Sequence, residues 1–243
     1  MEAITVKGLV LKQTNYSEAD KILTIFTDDL GIVTVIAKGA RKIKSHQRGA
    51  ASLFCYGEYV LYPGKNMYTM RGAKLINSFY SISESIEKLA LASYLCEITA
   101  FFIPEEEPCE DVLSLVLNTL YILSEKDRNL LLIKAVFEFK FLSMIGYQID
   151  VDSCINCGKN ETVTFSAQKG GMLCSDCSKH ETICPASCVK AIKYITLYDT
   201  KNIFSFTIDP DGLKALSHLA RKFTLSISEY NFPTDEYFYS IIC

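Results

Sequence analysis

Lys21-Ile22-Leu23-Thr24-Ile25-Phe26-Thr27-Asp28-Asp29-Leu30-Gly31-Ile32-Val33-Thr34-Val35-Ile36-Ala37 reads as two strands and the turn between them. Ile22, Thr24 and Phe26 fall on one face of the first run, and Leu23 and Ile25 on the other. β-Branched and aromatic residues alternating with period two mark a strand, and Asp-Asp-Leu-Gly supplies the turn chemistry of a hairpin. Upstream, Ile4 to Thr14 is a further strand, set off by the polar turn-former Asn15-Tyr16-Ser17-Glu18-Ala19-Asp20. Downstream, Phe54 to Tyr62 is a fourth, stopped by Pro63-Gly64-Lys65-Asn66, and Met67 to Tyr80 a fifth, bent at Gly72. Five short strands in so little chain are best buried by curling into a closed barrel, which removes exposed edges. The expected fold class is α+β: an N-terminal OB-fold barrel over residues 1–80, then a helical domain over 81–243.

Between the third and fourth strands the alternation stops at Lys38-Gly39-Ala40-Arg41-Lys42-Ile43-Lys44-Ser45-His46-Gln47-Arg48. No acidic residue occurs between Asp29 and Glu58. Crowded cations on one loop repel each other, and a row of phosphates relieves that repulsion while releasing counterions. Lys38, Arg41, Lys42, Lys44 and Arg48 are therefore the candidate nucleic-acid contacts, against the plainer reading of a solvated surface loop. Tyr16, Phe54, Tyr56, Tyr59, Tyr62 and Tyr68 are candidate stacking platforms, with alternation sending about half of them into the core. Gly39 to Ser45 lacks the second glycine and the following helix of a phosphate-binding P-loop.

The net charge of −3 hides an asymmetry. Residues 1–80 carry eleven Lys/Arg against six Asp/Glu, and the remainder fourteen against twenty-two. A basic head on an acidic body fits nucleic acid at one end and protein partners at the other. No apolar run is long enough to span a bilayer and the first residues do not read as a signal peptide, so the expected location is cytoplasmic. In that compartment the ten cysteines are not a disulfide framework.

The body reads as helices: one from Ser83, its cap, to about Phe102, one from Pro108 through Leu123, and one capped by Asp127 and ending near Gly146. Cys188 to Leu197 and Asp211 to Ser226 again show helical periodicity, whereas Asn231 to Cys243 has no clear pattern. Cys154-Ile155-Asn156-Cys157 and Cys174-Ser175-Asp176-Cys177, sixteen residues apart, form a metal signature within an insert at about 150–182. Four thiolates fit a closed structural zinc site, and iron fits the same sulfurs. Cys184 and Cys188 read as buried thiols, with a supplementary ligand role as the alternative, and His180 as a surface residue. Val163 to Ser166 and Gly170 to Leu173 read as a small hairpin between the knuckles. The histidines His46, His180 and His218 are scattered and accompany no nucleophile motif, so no catalytic residue is expected.

Taken in order, Gly8-Leu9-Val10-Leu11, Tyr16 to Lys21, Phe26-Thr27, Leu30-Gly31 and Ala37-Lys38-Gly39-Ala40-Arg41-Lys42 before Ser45 resemble the bacterial DNA repair family RecO. Phe165-Ser166 and Gly170-Gly171-Met172-Leu173-Cys174 resemble its zinc-containing members. The resemblance implies a non-enzymatic recombination mediator of the nucleoid. It would bind single- and double-stranded DNA, anneal complementary strands, and act with RecR to load RecA on DNA coated by single-stranded-DNA-binding protein (SSB). One departure stands out. Family members often carry a basic stretch near the C-terminus, where this chain has Pro233-Thr234-Asp235-Glu236-Tyr237-Phe238. Two other readings remain: an RNA-binding barrel-plus-ribbon protein, and a protein-only scaffold whose basic loop receives an acidic peptide.

Overall fold

The computed structural model describes residues 2–242 except 106, 148, 180 and 201. The first half carries five strands, β1 (Ile4–Asn15), β2 (Lys21–Thr27), β3 (Gly31–Ala37), β4 (Cys55–Tyr62) and β5 (Tyr68–Ser78). They close in the order β1-β2-β3-β5-β4, with β4 returning to β1. Every pairing is antiparallel except β3 with β5, which meet in parallel over Val35↔Tyr68 and Ile36↔Thr69. This is the expected OB-type barrel.

The β2–β3 hairpin pairs Lys21 with Ala37, Leu23 with Val35 and Ile25 with Val33, so alternation carries Leu23, Ile25, Val33 and Val35 into one core. Val6, Val10, Tyr59, Leu61 and Met70 complete it from the other strands. At the turn, Thr27 Oγ1 donates to Gly31 O at 2.9 Å and accepts from the Leu30 amide at 3.0 Å. Gly31 has φ +62°, a conformation that side chains other than glycine rarely adopt. β5 carries an extra residue at Ile76, between Asn77, opposite Tyr56, and Leu75, opposite Gly57. It carries a second, Arg71, between Gly72, opposite Val60, and Met70, opposite Leu61. The bend expected at Gly72 is this bulge.

A 3-10 turn, Tyr80–Glu84, leads into α1 (Ile86–Phe102), followed by α2 (Glu110–Glu125), α3 (Leu130–Met144), β6 (Thr164–Ser166), β7 (Gly171–Leu173), α4 (Ala186–Leu197), α5 (Pro210–Ser228) and α6 (Pro233–Ile242). Three helix starts lie further along than the residue pattern suggests. Ser85, not Ser83, caps α1 by accepting from the Lys88 amide at 3.2 Å. Asn129, not Asp127, caps α3, accepting from the amides of Leu131 and Leu132. α2 begins at Glu110, two residues past Pro108. For α1 and α3 the run offers several polar starters, and the extended residue where the chain turns, Ser85 or Asn129, does the capping.

The chain forms two compact units, one of residues 1–125 with 232–243 and one of residues 126–231. In the first, the C-terminal residues that showed no pattern form α6, which packs on α1. Phe232 meets Tyr94 edge-on at 5.9 Å and Phe101 at 5.2 Å, and Glu97 of α1 accepts the Thr234 amide at the start of α6. In the second, α3 is buried almost all round, even at Lys134 and Glu138, whose ion pair spans 2.6 Å. α3 packs against α4 and α5. Phe139 of α3, Phe165 of β6 and Phe223 of α5 form a three-ring cluster with centroids 5.3–6.0 Å apart, which fixes the β6–β7 hairpin to the helices. Among the described residues no helix is long and apolar enough to cross a membrane.

Candidate nucleic-acid interface and candidate metal centre

The β3–β4 connection is a run of tight turns pinned to the barrel from inside. Ala40, Ala50 and Ala51 are buried in the barrel core, and the Tyr59 hydroxyl donates to Ala50 O at 2.8 Å. Successive amide bonds, Lys42 to Gly39 O, Ser45 to Lys42 O and Arg48 to Ser45 O, coil the segment between those anchors. Small residues go inward, and Lys38, Arg41, Lys42, Lys44 and Arg48 are all exposed, together with Ile43 at 87%. The near end is tied to the β1–β2 turn. The Gly39 amide donates to Asp20 Oδ1 at 2.8 Å, the Arg41 amide to Ala19 O at 3.0 Å, and the Arg41 guanidinium to Ser17 O. The far end is tied to β5, where Gln47 Nε2 donates to Arg71 O at 2.9 Å. Among the described residues no carboxylate forms an ion pair with any of the five cations. A hollow of about 360 Å³ opens between Lys38, Lys42, Lys44, His46 and Gln47.

Lys21 belongs to the same electrostatic group, although its place in a strand hides it in the sequence. Its ammonium donates to Gln13 Oε1 at 2.7 Å and to Ala51 O at 3.1 Å. Partial burial holds its pKa below the usual lysine range, and the nearby Arg48 and Arg41 add to the effect. The depression records how closely the positive charges crowd. The signal was present in the hairpin register, since a turn at Asp28–Leu30 pairs Lys21 with Ala37, next to Lys38.

Two of the six proposed stacking aromatics are excluded. Tyr59 is fully buried in the barrel, and Phe54, held at φ +60° with its amide on Val10 O, is 5% exposed. Tyr56 and Tyr68 are half-buried, while Tyr16 and Tyr62 are 62% and 40% exposed. Arg71, which no sequence pattern marks, holds its guanidinium carbon 5.7 Å from the Tyr62 ring centre.

In the second unit, Cys154, Cys157, Cys174 and Cys177 come together with all sulfurs within 4.8 Å of one another. Each pair closes a tight turn. The Cys157 and Gly158 amides donate to Cys154 O, and the Cys177 and Ser178 amides to Cys174 O. Gly158, at φ +75°, takes the left-handed turn that ends the first knuckle. The two knuckles are joined by the Ile155 amide on Met172 O and by the Lys159–Asp176 ion pair at 2.5 Å. Four sulfurs about 2.3 Å from one tetrahedral ion stand roughly 3.8 Å apart. The 3.5 Å between the Cys157 and Cys174 sulfurs fits that geometry. Burial pushes the Cys154 thiol up, but backbone groups of Cys174, Asn156 and Cys157 outweigh it and bring it to about 6. The hydrogen bond with Cys157 pushes the Cys177 thiol up to about 12.

Cys184 and Cys188 stay outside the cluster among the described residues. Cys188 is buried in the first turn of α4, and Cys184 is half-buried with its sulfur 3.1 Å from Thr164 Oγ1 and 3.7 Å from Thr182 O. His180 lies outside the described residues, and His46 and His218 are exposed and far apart in sequence.

A closed five-stranded barrel with a cationic loop, followed by helices that carry a four-cysteine cluster, defines a class of OB-barrel protein with a metal-ribbon insert. Residues 1–79 match the family model described as recombination protein O N terminal, and residues 83–226 match recombination protein O C terminal. The chain belongs to the recombination protein O (RecO) family, as the sequence resemblance implied, and with it to DNA repair and recombination. It is 38% identical over 237 residues to the DNA repair protein RecO of Acetivibrio thermocellus, covering 96% of this chain and 94% of that protein. It is 36% identical over 215 residues to the protein of the same name from Dehalococcoides mccartyi, covering 86% and 85%.

Proposed function

We propose that this chain is a non-enzymatic recombination mediator of the bacterial cytoplasm, whose barrel, residues 1–80, binds DNA through Lys38, Arg41, Lys42, Lys44 and Arg48. One observation carries the reading: the five cations are exposed on a loop buttressed by the barrel core, and among the described residues no carboxylate neutralises them. Contacts of this kind go to phosphates, so the binding is sequence-tolerant, embraces single strands and duplexes, and weakens with salt. Holding two strands on one polycationic surface lowers their mutual repulsion, which is the physical basis for annealing. The helical region, residues 81–243, is acidic and offers the surface for RecR and for cooperation with SSB in loading RecA. Cys154, Cys157, Cys174 and Cys177 hold one structural zinc in the insert at 150–182. Bound there, the metal supplies folding free energy to a segment that, among the described residues, has two three-residue strands of its own.

The test is fluorescence-anisotropy titration of the full chain with labelled single-stranded DNA, duplex DNA and RNA across a salt series. The reading expects both DNAs to bind with a log–log salt slope that shrinks in a Lys42→Ala/Lys44→Ala variant. Preference for RNA through its 2′-hydroxyl would favour an RNA-binding protein. Absence of binding to all three at physiological salt would favour a protein-only scaffold.

A further inference from the structure

The cationic loop does not end in open solvent. Its Gln47 side chain is bonded to the main chain of Arg71, a bulged residue of β5, so a second surface adjoins it. A bulge breaks the alternation of a strand and re-aims one side chain. Here Met70 is buried, Arg71 is exposed, and Gly72 follows with no side chain at all. Opposite them on β4 stand Val60, paired with Gly72, and the exposed Tyr62, paired with Thr69. Val60, Tyr62, Arg71 and Gly72 line a shallow hollow of about 430 Å³. Its floor is the Val60 side chain and the bare Gly72 backbone, and its two walls are an aromatic ring and a guanidinium plane.

We infer that this hollow is a base-stacking subsite for single-stranded DNA, and that an unpaired base enters it between Tyr62 and Arg71. The inference rests on the proposed DNA-binding reading and adds the strand preference that phosphate contacts alone do not supply. The dimensions suit a base. Stacked aromatic planes lie about 3.4 Å apart in nucleic acids, so a base sandwiched between two groups needs roughly 7 Å. The guanidinium carbon already stands 5.7 Å from the Tyr62 ring centre, and an exposed arginine side chain covers the remainder by a rotamer change. A ring face and a guanidinium accept any of the four bases, which keeps the site sequence-tolerant. A base already paired and stacked in a duplex cannot enter. The hydrogen bond from Gln47 places the hollow beside the cations, so one strand can lay its backbone on the loop and turn a base toward β5.

The experiment is anisotropy titration of the full chain with three labelled probes of equal length: an oligo-dT, the same backbone made largely of abasic sites, and a blunt duplex. Tyr62→Ala removes one wall. Gly72→Ala raises the floor, and the fold accommodates it, since a Cβ there meets only Val60 carbons at 3.6 and 3.7 Å. Both variants should lose roughly five- to tenfold in affinity for oligo-dT while binding to the duplex and abasic probes stays within about twofold. Tyr62→Phe, which keeps the ring, should bind like wild type. Equal losses on all three probes in Tyr62→Ala, or unchanged oligo-dT affinity in both variants, would overturn the subsite and leave the DNA-binding reading standing. Wild-type chain that binds none of the probes would overturn both.

Discussion

The Tyr59 hydroxyl, inside the barrel, donates to the carbonyl of Ala50 at 2.8 Å, so the hydrophobic core itself holds the loop that bears the cations. Removing that hydroxyl leaves a buried carbonyl with one partner fewer. Tyr59→Phe should cost about 1 kcal/mol of stability, which corresponds to a drop of a few degrees in Tm. Thermal denaturation reads the effect directly, and an unchanged Tm would show that the bond does not anchor the loop.

The same tyrosine sets a pH dependence. Burial, with a smaller contribution from Cys55, pushes its phenol well above the ordinary value of about 10. Above that pH the unfolded chain releases the phenolic proton while the folded chain keeps it. The stabilisation is therefore complete below about pH 10 and is lost as pH climbs toward the folded-state value. Denaturant titrations of wild type and Tyr59→Phe between pH 9 and pH 11, roughly the onset of tyrosine ionisation, should converge as pH rises. Parallel curves would mean that the phenol titrates normally.

Phosphate contacts leave a thermodynamic trace. Each cation neutralising one phosphate of a single strand contributes about 0.7 to the log–log salt slope. Lys42→Ala with Lys44→Ala should flatten the slope by about 1.4, with little change in Tm because both side chains are exposed. Arg41 differs, since its guanidinium also bonds Ser17 O in the β1–β2 turn. Arg41→Lys, which keeps the charge, should retain the slope and still lose affinity. If it binds like wild type, charge alone matters at that position.

Elemental analysis should find one zinc per chain in protein prepared without chelator. Cys157→Ser or prolonged chelation should expose the 150–182 insert to limited proteolysis. The barrel lies in the other compact unit, so binding of duplex DNA should change by less than about twofold. Metal-free protein with an equally resistant insert would contradict the four-thiolate site.

Gly31 offers a backbone test. A Cβ there would lie 2.3 Å from Glu107 O, and φ +62° already disfavours any side chain. Gly31→Ala should destabilise the chain by roughly 2 kcal/mol or more. Gly49→Ala, with open space around its Cβ, should stay within about 0.5 kcal/mol. Equal effects would remove the close approach as the cause.

The parts of this molecule that the sequence reveals are those decided locally. Leu23, Ile25, Val33 and Val35 alternate, so the β2–β3 hairpin is legible from the residues alone. The knuckles are legible because Cys-x-x-Cys is a turn that needs no distant partner. α6 was hidden because Phe232 and Phe238 acquire their burial only in the folded unit, with Phe232 packing on α1 more than a hundred residues upstream. Arg71 was hidden because the bulge shifts strand parity by one, and parity is what a reader of alternation relies on. Phe54 misleads for a related reason: its left-handed backbone lies outside the β4 pattern that its residue type suggests it begins.

The short parallel contact between β3 and β5 has a mechanical consequence. Two residue pairs close that seam, whereas the β2–β3 ladder runs the full length of both strands. The cylinder should therefore unlatch there first, with deuterium entering at the Ile36 and Thr69 amides while the antiparallel ladders stay protected. Ala37 lies one residue beyond the latch but stays paired with Lys21, and the Gly39 and Arg41 amides hold the β1–β2 turn, so the near root of the polycation should keep its place while the seam opens.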